Sequence, residues 1–161
     1  MHNLIVKKTI NASVEQVWSE IKDFGGIHKV HPLIEKSPVT NGIEFGNGAE
    51  RTCIMYSGGE IKERVFDYVE GEKYSVEVID PGPFPIEKSF VEISIADAGK
   101  GNSSLSFNMK FQPKFGVIGT LMAKTVMKKQ FEKILGDVIT GLETHIKTGK
   151  LIGKKGVLIA A

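Results

Sequence analysis

Only one cysteine, Cys53, occurs among the 161 residues, so no intramolecular disulfide can staple this chain. An excess of one charge sign is also lacking. With 21 basic and 19 acidic residues the formal net charge is +2, too balanced for a nucleic-acid footprint, and no nucleic-acid partner is expected. No run approaches the ~20 consecutive apolar residues of a membrane span. The opening MHNLIVKKTI has no basic leader followed by an apolar run and a small-residue cleavage site, so a cytoplasmic protein is expected. What is present is an ordinary globular balance, 41% hydrophobic and 25% charged. This length predicts one domain that buries about 70% of its unfolded surface without help from a metal.

Residues 3–10 alternate as a strand up to Asn11. The period then changes: Ser13 is a good N-cap, Gln16 completes capping-box spacing, and Val17, Trp18 and Ile21 share one helical face. Gly25-Gly26 is expected to end that helix near Phe24; residues 28–34 have room for a short helical turn, but Pro32 pushes His31 out of the α region and favours extended chain afterwards. Strands are predicted at 34–39, 49–56, 60–69 and 73–79, the middle pair joined by Ser57-Gly58-Gly59 as a hairpin. In the last of these, Tyr74, Val76 and Val78 share the inner face and Ser75 and Glu77 the outer. Three prolines make 81–85 a loop, and strands at 86–96 and 103–111 follow.

From about Gly119 to Ile146 the period is helical, with Met127, Phe131, Ile134, Val138 and Leu142 forming an apolar stripe widened by Leu135 and Ile139. Gly149 caps it, leaving a tail at 149–161 judged too short for an element of its own. Strands followed by one long helix indicate an α+β domain over residues 1–148.

Several segments carry a family resemblance: Ala12-Ser13-Val14-Glu15-Gln16-Val17-Trp18, Phe24 through His31-Pro32-Leu33-Ile34, Gly48-Ala49-Glu50-Arg51-Thr52, Gly59-Glu60-Ile61-Lys62-Glu63-Arg64, and Gly141-Leu142-Glu143. In this order they resemble the START-related (SRPBCC) superfamily, which includes birch pollen allergen-like proteins, and within it the polyketide cyclase/dehydrase-like subgroup. The resemblance implies a helix-grip fold: a curved antiparallel sheet of about seven strands around a long C-terminal helix, with two short helices after the first strand. It also implies an apolar small-molecule or lipid ligand. No cofactor is implied.

Period two places Arg51, Cys53 and Met55 on one strand face and Ile61, Glu63 and Val65 on one face of the next. Arg51 and Glu63 then meet across the hairpin, either as an exposed ion pair or inside a cavity where they would bind an anion and move a proton. Glu35 aligns with the place where hormone-binding relatives have a lysine that meets the ligand carboxylate, so an abscisic acid-like carboxylate is not expected there, and Glu35 is either at the site or exposed at the strand edge. His28 and His31 have metal-ligand spacing, but no third ligand follows and Pro32 breaks the turn, so no metal is expected. Cys53 reads as a small buried hydrophobe.

Trp18, Phe131, Ile134, Leu135 and Val138 belong either to the core or to a ligand cavity, and Glu35, Cys53, Met55, Ile61, Tyr74 and Val76 are further candidates to line it. Phe84, in the 81–85 loop, is placed to plug the cavity. Two functions are expected: a binding protein enclosing an apolar ligand between sheet and helix, or a cofactor-independent cyclase, dehydratase or isomerase using Glu63 and Arg51. The apolar tail with Lys150, Lys154 and Lys155 leaves a homodimer or membrane-surface contact open, equally with packing on its own domain.

Overall fold

The computed structural model describes residues 1–161. Strand β1 (His2–Ile10) is followed by α1 (Val14–Ile21) and a 3-10 turn, Phe24–Lys29. Six strands come next: β2 (Ile34–Lys36), β3 (Glu50–Met55), β4 (Glu60–Val69), β5 (Lys73–Asp80), β6 (Ile86–Gly99) and β7 (Asn102–Pro113). They form one antiparallel sheet with β1, in the order β1-β7-β6-β5-β4-β3-β2, which does not close. The C-terminal helix begins as α2 (Gly116–Met122), passes through a π-helical turn, Ala123–Met127, and continues as α3 (Lys128–Thr148). The helix-grip expectation of a seven-stranded sheet against a long helix holds.

Ser13 caps α1 as its spacing predicts: its hydroxyl accepts from the Gln16 amide at 3.2 Å and the Gln16 side chain accepts from the Ser13 amide at 3.0 Å. The core lies between one sheet face and α3. Val76, Ile93 and Phe107 meet Val138, Ile139 and Leu142 there, while Leu4, Met109 and Phe111 meet Met127 and Phe131 further along. Alternation in the strands and the 3.6-residue stripe of the helix thus supply the two surfaces.

Local boundaries differ from expectation for identifiable reasons. Helix α1 stops at Ile21, and Gly25-Gly26 lie inside the 3-10 turn instead of ending the helix. Strand β2 stops at Lys36 because Ser37 turns inward, donating to the Gly25 carbonyl at 2.6 Å. Pro38 follows without an amide donor, and the chain rejoins the sheet only as a bridge between Val39 and Arg51. Ser75 is buried on the outer sheet face, beside its register partner Phe66, instead of exposed. The tail also forms elements of its own: β8 (Leu151–Ile152) pairs with β9 (Leu158–Ile159), and Ile152 is buried.

Close packing of α3 depends on Gly141. A Cβ there would lie 2.1 Å from the Val30 carbonyl oxygen, whereas one at Gly136 meets nothing within 4 Å. Gly136→Ala is therefore expected to stabilise the protein by up to ~1 kcal/mol through helix propensity. Gly141→Ala is expected to lower stability despite the same propensity gain, and urea midpoints at unchanged m-value measure both.

Candidate functional site

Strand pairing sets the Arg51–Glu63 geometry. The two residues are direct register partners in β3 and β4, and their side chains lie on the face turned toward α3. Arg51 Nε and Nη2 donate to Glu63 Oε2 at 2.7 and 2.6 Å, and Nη1 donates to the Phe24 carbonyl at 2.7 Å. The guanidinium carbon sits 4.0 Å from the Phe24 ring centroid. With side-chain exposures of 9% and 13%, this is a buried pair and not a surface ion pair. Burial works against the Arg51 charge, but Glu63 and the neighbouring groups outweigh it and hold the guanidinium above its ordinary pKa.

Cys53 Sγ also donates to Glu63 Oε2, at 3.5 Å. Burial is the main cause of a Cys53 pKa pushed up to about 12, against the pull of Arg51, so the group is a neutral thiol and no nucleophile. All these contacts fall on Oε2 and leave Glu63 Oε1 without a protein hydrogen bond.

Glu63 stands in the wall of a cavity of about 120 Å³ between sheet and helix. Apart from His31, Glu63 and Ser89, every residue lining it is apolar. Met55, Ile61, Phe84, Phe131 and Leu135 line it as the alternation of their elements suggests. Arg51, Tyr74 and Val138 instead border a smaller void of about 40 Å³. Trp18, Glu35, Cys53 and Val76 border neither space. Trp18 is buried in the core with its indole N–H donating to Glu70 at 2.9 Å, and Glu35 is exposed on the edge strand β2.

Two polar wall residues escaped the strand-by-strand reading. Ser89 is 1% exposed and its hydroxyl has no hydrogen-bond partner, an uncompensated group at a cavity wall. His31 is half-buried, and its Nδ1 accepts from the Leu33 amide at 3.2 Å, which leaves Nε2 as the protonated nitrogen of a neutral ring. Burial, aided by Arg51 and opposed by Glu63 and Asp137, lowers the His31 pKa to about 4. The His31-Pro32 dipeptide was the available signal; what it lacked was the fold that turns the ring toward Glu63.

A Cβ at Gly59 would lie 3.3 Å from Pro83 Cγ, so the β3–β4 turn and the 81–85 loop lie close together, and Phe84 of that loop lines the cavity. The volume is below the 300–1,000 Å³ usual for drug-sized ligands and close to that of cavities that hold one aromatic ring.

A sheet gripping one long helix, with an apolar space and an internal carboxylate between them, defines a helix-grip ligand-binding architecture. Residues 1–147 match the family described as polyketide cyclase/dehydrase and lipid transport, and the chain belongs to that family. Solved structures share the fold. XoxI from Bacillus cereus is 23% identical with a TM-score of 0.76, over 92% of this chain and 97% of that one. A START superfamily protein from Mycobacterium smegmatis is 17% identical with a TM-score of 0.74, over 91% and 98%. Truncated norcoclaurine synthase from Thalictrum flavum is 14% identical with a TM-score of 0.69, over 91% and 94%. No match was found among curated proteins.

Two outcomes follow from this geometry. Arg51→Met and Glu63→Leu are each expected to cost about 3–5 kcal/mol, because each leaves a buried charge alone, while the double variant recovers most of the loss; denaturant unfolding of the full cycle measures it. Because folding lowers the His31 pKa from 6.5 to about 4, the unfolded chain takes up the proton first as pH falls. The contribution of His31 is complete above pH 6.5 and is lost toward pH 4, with a slope of up to ~1.4 kcal/mol per pH unit. His31→Asn is expected to remove that component from the pH dependence of the urea midpoint.

Proposed function

We propose that this protein binds an apolar small molecule or lipid that carries a hydrogen-bonding group, seating it between the sheet and α3. The observation that carries this reading is the cavity itself, apolar except where His31, Glu63 and Ser89 face it. The orphaned Ser89 hydroxyl gives a ligand polar group a partner that the protein withholds, and Glu63 Oε1 offers an acceptor. A ligand larger than one ring requires Phe84 and the 81–85 loop to move aside, a loop that lies against the β3–β4 turn at Gly59. Membership in a family described by lipid transport and polyketide chemistry supports the same class of ligand.

A second reading, a cofactor-independent cyclase, dehydratase or isomerase, has one observation in its favour. Glu63 Oε1 is free beside a neutral imidazole, an arrangement suited to taking a proton from a bound substrate. A structure of norcoclaurine synthase, which shares this fold, is in complex with dopamine and hydroxybenzaldehyde. Arg51 fits the anion-stabilising role less well, since its donors are committed to Glu63 and the Phe24 carbonyl. In this reading Arg51 fixes the orientation of Glu63 without touching substrate. Glu63→Gln then removes turnover and spares binding.

Calorimetric titration with 4-propylphenol, one ring bearing an alkyl tail and a hydroxyl, tests the binding reading. Saturable binding is expected, weakened at least about tenfold by Leu135→Trp, which fills the cavity. Ser89→Ala is expected to weaken 4-propylphenol by roughly threefold to tenfold and to leave propylbenzene unchanged, the worth of one hydrogen bond. Equal affinity of wild type and Leu135→Trp contradicts the reading.

A further inference from the structure

The first turns of the C-terminal helix present their large apolar side chains to solvent. Within residues 116–127 the buried residues are Gly119, Ala123 and Met127. A Cβ at Gly119 would lie 1.7 Å from the Lys114 carbonyl oxygen, so the helix is pressed against the end of β7 along its small-residue side. The opposite consequence is an uncovered apolar face: Phe115, Val117, Ile118, Leu121, Met122 and Val126 are 44% to 88% exposed. Single exposed apolar residues are ordinary, but a contiguous group on two helical turns marks an interaction surface. Phe115 adopts a left-handed conformation, with φ at 70°, unusual for a bulky residue, and its ring still finds no cover.

Charge selects the kind of surface this face fits. From Phe111 to Phe131 the sequence holds Lys114, Lys124, Lys128 and Lys129 and no aspartate or glutamate. Lys128 lies 4.0 Å from Glu132, while Lys114, Lys124 and Lys129 are exposed with no carboxylate within salt-bridge distance. Glu87 flanks the patch beyond Val117 and is engaged by Gln112 at 2.8 Å. Aliphatic and aromatic side chains bordered by unpaired lysines complement an interface whose interior is apolar and whose rim is anionic.

We propose that residues 114–129 are a docking surface for an anionic lipid bilayer. The apolar side chains enter the headgroup–acyl boundary, and the lysines reach along it to lipid phosphates. The helix lies in the surface and does not cross, since no helix is long and apolar enough to span. Ala123 and Met127 pack in one cluster with Ile86, Phe131 and Phe84, and those three line the cavity. Docking therefore places one wall of the cavity at the lipid surface. The proposal stands on the exposed face alone and does not rest on what the cavity holds.

Sedimentation of the full chain with phosphatidylcholine vesicles, with and without roughly one third phosphatidylserine, tests it. Binding is expected to the anionic vesicles, to weaken as salt is raised, and to fall roughly fivefold for each of Lys124→Gln and Lys129→Gln. Ile118→Asp with Leu121→Asp is expected to abolish binding while leaving the melting temperature unchanged, because both side chains are exposed. Leu135→Trp, which blocks the cavity, is expected to bind vesicles as wild type does, separating docking from ligand uptake. Binding no better to anionic than to neutral vesicles overturns the proposal, as does full binding by the double aspartate variant. So does a wild-type dimer that this variant converts to monomer, with no vesicle binding by wild type.

Discussion

A guanidinium that bonds Glu63 on one side and the Phe24 carbonyl on the other ties the β3–β4 hairpin to the 3-10 turn that follows α1. Glu63 compensates the buried charge of Arg51, and Arg51 and Cys53 hold Glu63 through the same oxygen. A buried ion pair is weak evidence for net stability, since the desolvation of both partners offsets their attraction. What the pair supplies is direction: Arg51 and Cys53 hold one oxygen of a carboxylate that lines the cavity and leave the other without a protein hydrogen bond.

The rest of the site is arranged around that direction. His31 follows the 3-10 turn that Arg51 anchors, and burial keeps its ring neutral. Ser89, on β6, adds a hydroxyl that the fold leaves without a partner. Three polar residues in the lining of an otherwise apolar space can orient a ligand by one end while the remainder is held by packing. At the far end Phe131 and Phe84 form the wall shared with the basic, apolar start of the helix. Site and surface thus meet through one packed cluster.

Much of this arrangement was legible in strand periodicity. The Arg51–Glu63 pairing follows from the tight Ser57–Gly59 turn, because a short hairpin loop fixes register and register fixes which side chains face each other. The capping box at Ser13 and the apolar stripe from Met127 to Leu142 were equally direct. Less legible were features that depend on distant contacts. Trp18 and Val76 have the composition of cavity residues but are covered by core neighbours. Ser89 and His31 became part of the site only once three elements had come together. The tail's β8–β9 pair carries no periodic signal because its strands are two residues long, and Phe115, Val117 and Ile118 of the exposed face lie ahead of Gly119, where the helical period is expected to begin.

The proposed ligand enters the space between sheet and helix with its polar end toward Glu63, His31 and Ser89. Methyl-resolved NMR during titration with 4-propylphenol tests it most directly. Saturable shifts are expected at Met55, Ile61, Ile86, Met109 and Leu135, which line that space, with Leu158 and Ile159 of the tail unmoved. Shifts confined to Leu33, Ile152 and Leu158, around the open groove beside the tail, would contradict it.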